Sequence, residues 1–283
     1  MPESIPAPPS RPTRRFVAGV AVAALAVIVV AALPVGAGSP PQSVLDKADM
    51  VGYAICHRIP ERSFFAAGRQ LPLCARCTGT FLGALLGLAA LLVLRRHRSS
   101  GLPPAPVLLV LLGFIGIWAA DGLNSYLGFF PNAPQLYEPR NWLRLSTGML
   151  NGLALAALVF PIAAFTLWRE TNPQPVIKNL WELLAVLPLA ALLVWIVQAE
   201  IGPLLYPLAL LSSGGVLVLL TAINSMLAAV VLRLEGRART ARQLLLPLAA
   251  GLALALIEVT VLALVRTYLV THFGLDISTL GGS

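Results

Sequence analysis

Residues 78–94 read TGTFLGALLGLAALLVL, without one formal charge, and are closed by the basic run Arg95-Arg96-His97-Arg98. An apolar run of this length, wound as a helix, reaches across the hydrocarbon core of a bilayer. Working outward, comparable runs rich in Leu, Ala and Val fall near 16–37, 105–120, 146–167, 180–198, 203–232 and 244–270. Only helices or closed barrels satisfy their backbone groups in lipid, and nothing here alternates with period two. The pattern predicts an all-α fold: a polytopic membrane helix bundle of about seven transmembrane helices with a cysteine-containing outer loop. Composition agrees, since 58% of the chain is hydrophobic and 11% charged, against roughly a quarter charged in soluble proteins. A water-soluble globule is excluded, and the loops are too short for a separate catalytic domain.

Lys and Arg number 20 against 12 Asp and Glu, a formal charge of +8. In a membrane protein this excess is first a topology signal, and attraction to anionic lipid explains a pI of 10.1 without nucleic acid. Membrane lipids are therefore the expected partners, and no nucleic-acid partner is expected. Arg95, Arg96 and Arg98, then Arg169 and Lys178, then Arg233, Arg237, Arg239 and Arg242 fall on the same side as Arg11, Arg14 and Arg15. The positive-inside rule puts that side, with the N-terminus, in the cytoplasm, and the C-terminus and residues 38–77 on the extracytoplasmic side. The Pro-rich segment 1–15 reads as a disordered cytoplasmic N-terminus. Residues 16–37 read as a retained N-terminal anchor helix, because the apolar core is longer than the roughly 7–15 residues of a signal peptide. A signal peptide is the alternative, since Val35-Gly36-Ala37 resembles a small-residue cleavage site. The remaining divisions are an outer Cys/His/Arg loop at 38–77, core helices two to four at 78–167, and a C-terminal three-helix membrane region at 168–283.

Between the first two runs stand Cys56-His57-Arg58-Ile59-Pro60-Glu61-Arg62-Ser63-Phe64-Phe65 and Gly68-Arg69-Gln70-Leu71-Pro72-Leu73-Cys74-Ala75-Arg76-Cys77-Thr78-Gly79, which hold all 3 cysteines. The spacing of Cys74 and Cys77 lets both thiolates reach one metal ion, and Cys56 with His57 would complete a tetrahedral set. Adjacent residues point in different directions, so ligation by both Cys56 and His57 requires a bent backbone near Pro60. Zinc is the default metal, and iron suits the same sulfur donors. Two alternatives stay open. Cys74 and Cys77 at a helix N-terminus can cycle between dithiol and disulfide, or Cys56 can form a structural disulfide with one of them on an oxidising face. Covalent haem attachment is not expected, because Thr78 follows Cys77.

The Cys-His pair, the Pro-x-Arg-Ser-Phe segment from Pro60 to Phe64 and the Cys-x-Arg-Cys-x-Gly entry to a helix resemble domain of unknown function 2085. This is a bacterial and archaeal family of membrane proteins. The resemblance covers roughly residues 50–165, including Asp121-Gly122 and Asn141-x-x-Arg144 to Gly148, and does not extend to the last three apolar runs. It implies a membrane fold and brings no established activity. Arg58 stands where Gln is expected in many relatives, so no role of an amide at that position carries over.

Arg58, Arg62, Arg69 and Arg76 crowd the same loop, and planar guanidinium forks suit phosphate or carboxylate. They point to an anionic substrate or lipid headgroup, unless Asp46, Asp49 and Glu61 neutralise them. A weak internal echo links Arg76-Cys77-Thr78-Gly79, leading into Gly83 and Gly87, with Arg144-Leu145-Ser146-Thr147-Gly148, leading into Gly152. Glycines four apart allow close helix packing; alternatively the two helix N-termini form an anion cradle. Asp121, followed by Asn124, ends the third run at the same level, where it can pair with Arg76 or Arg144, join a metal shell or act as a general base. Asn141 and Asn151 add amides near that end. Glu258 lies midway along the last run, bonded to Asn224 or Thr260, or on a proton path, and such residues usually face the bundle interior. His97 and His272 are not read as ligands.

These readings converge on a metalloenzyme acting on an anionic, lipid-linked or membrane-partitioned substrate at the extracytoplasmic face. Cys56, His57, Cys74 and Cys77 would hold zinc, Asp121 and Arg144 would be catalytic, and Arg62, Arg76, Arg144, Asn124 and Thr147 would bind substrate. The alternatives are a thiol-disulfide oxidoreductase using Cys74 and Cys77, and a non-catalytic transporter or assembly factor with a structural cysteine loop. No P-loop, dinucleotide-binding glycine pattern or His-Glu-x-x-His helix is present.

Overall fold

The computed structural model describes residues 43–130 and 134–274. The apolar run 16–37 and the segment before it lie outside the described residues. Helices α1 Val44–Ile55, α2 Ala75–Val93, α3 Ala105–Leu127, α4 Asn141–Leu167, α5 Leu180–Gln198, α6 Leu205–Val231 and α7 Ala241–Phe273 follow in order. Among the described residues, 6 helices, α2 to α7, are long and apolar enough to cross a membrane.

Two helix ends differ from the charge-based reading. The third run does not stop at 120, because Asp121 is neutralised inside the bundle and α3 continues to Leu127. Likewise α4 begins at Asn141 rather than 146, because Arg144 is buried within its first turns. A charge ends a span only where nothing in the protein solvates it.

The close approach of α2 and α4 organises the centre. A Cβ at Gly79 would collide with the Leu145 carbonyl, and one at Gly83 with that of Met149. Reciprocally, a Cβ at Gly148 would collide with the Arg76 carbonyl, and one at Gly152 with that of Thr80. The repeated Thr-Gly-x-x-x-Gly is thus a backbone-to-backbone crossing, in which small residues bring dispersion contacts that larger ones would hold apart. Leu82, Leu145, Met149, Leu153, Leu208 and Ala209 fill the core beside it.

The segment read as a plain outer loop is structured. In α1, Ser43 Oγ accepts from the Asp46 N–H at 3.2 Å and Asp46 Oδ2 accepts from the Ser43 N–H at 3.0 Å, a reciprocal cap. Leu45, Ala48 and Gly52, at helical spacing, form its buried face. A 3-10 turn at Pro60–Arg62 and a hairpin follow, β1 Phe65–Ala66 with β2 Arg69–Gln70. At its turn, Ala67 and Gly68 take φ of 49° and 74°. The first half, α1, packs on α6 and α7, with Ser213 Oγ donating to the Ala48 carbonyl at 3.3 Å. The second half reaches α4, where Asn141 Nδ2 donates to the Glu61 carbonyl at 3.0 Å.

At the opposite end, β3 Ser99–Gly101 pairs in parallel with β4 Asn172–Pro175. Arg96 Nη2 meets Glu182 Oε1 at 2.6 Å, and Trp168 bridges to Ala238, tying the three Arg-bearing junctions together. Asn224 Nδ2 donates to Glu258 Oε2 at 3.0 Å. Glu258 lies on the exposed surface of α7 rather than facing the bundle interior as expected.

Candidate metal centre and its basic surroundings

Helix α1 ends at Ile55, and Cys56 takes extended backbone as its C-cap. Arg58, at φ 53°, then turns the chain. It returns through the hairpin to Cys74, the N-cap of α2, with Cys77 in that helix's first turn. The three Sγ atoms all lie within 4.8 Å of one another, and the Cys74 N–H donates to Cys56 Sγ at 3.3 Å. Leu73, Val216, Val51, Ile55, Phe81 and Leu220 wall the cluster with apolar groups from α1, α2 and α6. Hydrogen bonds from the Cys74 and Cys77 thiols pull the Cys56 thiol down to about 2. Donating to Cys56 pushes the Cys74 thiol up to about 12. Crowded sulfurs of this kind, poor in water, share either protons or a cation.

His57 is not brought into this cluster. Its Nδ1 accepts from the Ile59 N–H at 3.2 Å, so the neutral ring carries its proton on Nε2. Extended backbone at Cys56 sends adjacent side chains to opposite sides. The imidazole is partly buried, and burial first, then repulsion from Arg62, Arg76 and Arg144, lowers its pKa.

One residue beside the cysteines was not among the sequence-predicted site residues. Arg266 of α7 donates from Nη1 to the Tyr53 carbonyl at 2.7 Å and the Cys56 carbonyl at 2.5 Å. Its Nη2 donates to the His57 carbonyl at 3.2 Å, and the guanidinium stacks 4.3 Å over the Tyr53 ring. A basic group within the last apolar run was the available signal, because such a group needs a partner in the protein.

The arginines divide into two sets. Arg58 pairs with Asp49 at 2.8 Å, and Arg69 with Asp46 at 2.7 Å and Asp49 at 2.6 Å, so loop carboxylates neutralise both. Arg76 pairs with the buried Asp121, Nε to Oδ2 at 3.1 Å, and reaches Ser125 Oγ at 3.0 Å. Asp121 also accepts from the Tyr137 hydroxyl at 2.8 Å and from Thr147 Oγ1 at 3.4 Å. Burial and that carboxylate push the Tyr137 hydroxyl up to about 12. Asn124 spends both ends of its amide on the Tyr137 carbonyl, at 2.9 Å, and the Leu136 N–H, at 2.8 Å. The structure therefore brings Asp121, Asn124 and Thr147 together as a hydrogen-bonded support, apart from the sulfur cluster.

Arg62 and Arg144 remain. Arg144 is 7% exposed and donates to Asn141 Oδ1 at 2.9 Å and Ser125 Oγ at 3.4 Å. Arg62 lies 3.9 Å over the Phe129 ring, and burial, then repulsion from Arg76, lowers its pKa. Among the described residues, neither has a carboxylate within ion-pair distance. Among the described residues, Asp121 is thus the one carboxylate in ion-pair contact with Arg62, Arg76 and Arg144, an arrangement suited to an added anion.

Fold and site define a multi-pass membrane protein with a three-cysteine cluster, able to hold a metal ion, at one end of the helix bundle. The chain belongs to the family described as predicted membrane protein (DUF2085), which matches residues 56–158. It is 40% identical over 105 residues to an uncharacterized protein of Methanothermobacter thermautotrophicus, covering 37% of this chain and 83% of that protein. It is 32% identical over 108 residues to an uncharacterized protein of Methanocaldococcus jannaschii, covering 38% of this chain and 63% of that protein. No solved structure matches significantly. The family match stops before α5 to α7, yet Val216 and Leu220 of α6 wall the cysteines and Arg266 of α7 holds the backbone at Cys56.

Proposed function

We propose that this protein is a membrane metalloenzyme whose cysteines hold zinc, or iron in its place, beside an arginine cluster that takes an anionic, lipid-linked or membrane-partitioned substrate. The observation that carries this is a set of three sulfurs within 4.8 Å of one another, with His57 turned away. Three protein ligands leave a fourth position open, the arrangement of catalytic rather than closed structural zinc. When bound there, the metal supplies Lewis-acid polarisation or a water of lowered pKa.

The chain's own groups do the rest. Arg62 and Arg144 orient the anion; Asp121 is a positioning residue that holds Arg76, with Thr147 and Asn124 supporting it. His57 offers an Nε2 proton. The basic junctions at the far end of the bundle support a cytoplasmic placement for that end and an extracytoplasmic one for the cysteines.

Metal content and free thiols, measured on protein purified in detergent without added metal or reductant, test the reading. One zinc or iron per chain is expected, lost in the Cys74→Ser, Cys77→Ser double variant and retained in His57→Ala. Metal-free protein with an oxidised Cys74–Cys77 pair would sink it. That result would instead favour thiol-disulfide exchange, the reading supported by the lowered pKa of Cys56 beside two further sulfurs.

A further inference from the structure

At the end of the bundle away from the cysteines, we infer a binding site for one anionic glycerophospholipid, with an acyl chain between four helices and the phosphate held by Arg98 and Arg239. The inference is independent of the cysteine site. A cavity of about 750 Å³ opens there between α2, α4, α6 and α7, walled by Leu88, Phe160, Leu217 and Leu248 among others. Its volume falls within the roughly 300–1,000 Å³ of small-molecule sites. Its walls belong to membrane-spanning helices, and an apolar cavity of this kind is a poor host for water. Thr221, on the same wall, has a buried Oγ1 without a hydrogen-bond partner.

The charge at its mouth selects the occupant. Trp168 lines the cavity, and the Arg98 guanidinium lies 4.1 Å over the Trp168 ring. Beyond it, Arg98, Arg239 and Glu170 border a smaller pocket of about 240 Å³, two basic residues to one acidic. Arg98 Nη2 donates to the Arg239 carbonyl at 3.4 Å, so the Arg98 side chain reaches the Arg239 backbone. Neither makes an ion pair among the described residues, whereas Arg96 is committed to Glu182. Arg95, Arg237 and Arg242 are exposed on the same end. An apolar slot that ends in unneutralised guanidinium forks fits an amphiphile with a phosphate head.

Native mass spectrometry of the full chain, with phosphatidylglycerol or phosphatidylcholine added in detergent, tests this. One saturable phosphatidylglycerol is expected, held at least about tenfold more tightly than phosphatidylcholine. The exposed pair Arg98→Gln, Arg239→Gln should weaken it about tenfold, and Leu248→Trp, which fills the slot, should abolish it. Circular dichroism reports whether Leu248→Trp folds; if it does not, the arginine pair decides. Equal affinity for the two lipids, or no effect of the arginine pair, overturns the proposal. So does a disulfide formed readily between cysteines introduced at Leu248 and in the apolar run 16–37, because the chain's own segment would then fill the slot.

Discussion

Arg76, which stands between the two cysteines at the start of α2, donates from Nε to Oδ2 of Asp121 on α3 at 3.1 Å. The direction of the cysteine-bearing turn is therefore set by a carboxylate from another helix, itself only 1% exposed.

Removing one partner of that pair leaves a buried charge uncompensated. Arg76→Ala or Asp121→Ala should cost about 3–5 kcal/mol, read as an earlier unfolding midpoint in a denaturing-detergent titration. Asp121→Asn keeps most hydrogen-bond geometry and should cost about 1–3 kcal/mol. Equal, negligible effects in all three would show that the pair is solvated rather than structural.

The α2–α4 crossing distinguishes its glycines from others in the chain. At Gly148 a Cβ has no room beside the Arg76 carbonyl, so Gly148→Ala should destabilise by about 1–3 kcal/mol. Gly113 and Gly116 of α3 have nothing within 4 Å of an added Cβ. Alanine there should be neutral, or stabilising by up to about 1 kcal/mol from helix propensity. Thermal aggregation midpoints of the three variants side by side check the contrast, and similar losses at all three would refute it.

Arg266 holds three carbonyls at the end of α1, among them that of Cys56. If that grip positions Cys56 for a metal, Arg266→Ala should weaken zinc affinity about tenfold or more, on the scale of about 1.5–3 kcal/mol for charge-assisted bonds. Competition with a chromophoric chelator reads this. Arg266→Lys, with a single ammonium for three acceptors, should recover only part of it. Unchanged affinity in a folded Arg266→Ala variant would leave Arg266 a purely architectural cap.

Asp46 supplies a pH dependence. Its pairing with Arg69, then the hydrogen bond from Ser43, hold its carboxyl below the ordinary 3.8. A folded value below the unfolded one means the stabilisation is fully present above the unfolded pKa and is lost as pH falls through the folded one. Wild type should therefore melt above Asp46→Asn at neutral pH, with the gap closing as pH drops below 3.8. A gap that does not change with pH would assign the difference to packing instead.

Much of the candidate site was legible because it is local. Cys74 and Cys77 share one helix turn, and their spacing alone places two sulfurs together. The pairing of Asp121 with an arginine was among the readings, since a carboxyl at the membrane edge needs a cation, but which arginine took it was not readable. Helix α1 was missed although its signals were present: Ser43 and Asp46 form the cap, and Leu45, Ala48 and Gly52 fall on one face. Twelve residues of modest polarity beside long apolar runs read as loop when hydropathy alone is followed.

By itself the sequence determined the membrane class and the helical fold, because apolar run length is a property of one helix at a time. The four-residue glycine spacing left close packing and an anion cradle both open, and the tertiary structure made it the α2–α4 crossing. Only the tertiary structure decided that His57 turns from the sulfurs, that Arg266 reaches Cys56 from the last helix, and that Arg62 and Arg144 make no ion pair among the described residues. Those outcomes depend on which partners the folded chain brings within hydrogen-bonding range, and a buried charge or thiol takes its chemistry from such neighbours rather than from its place in the chain.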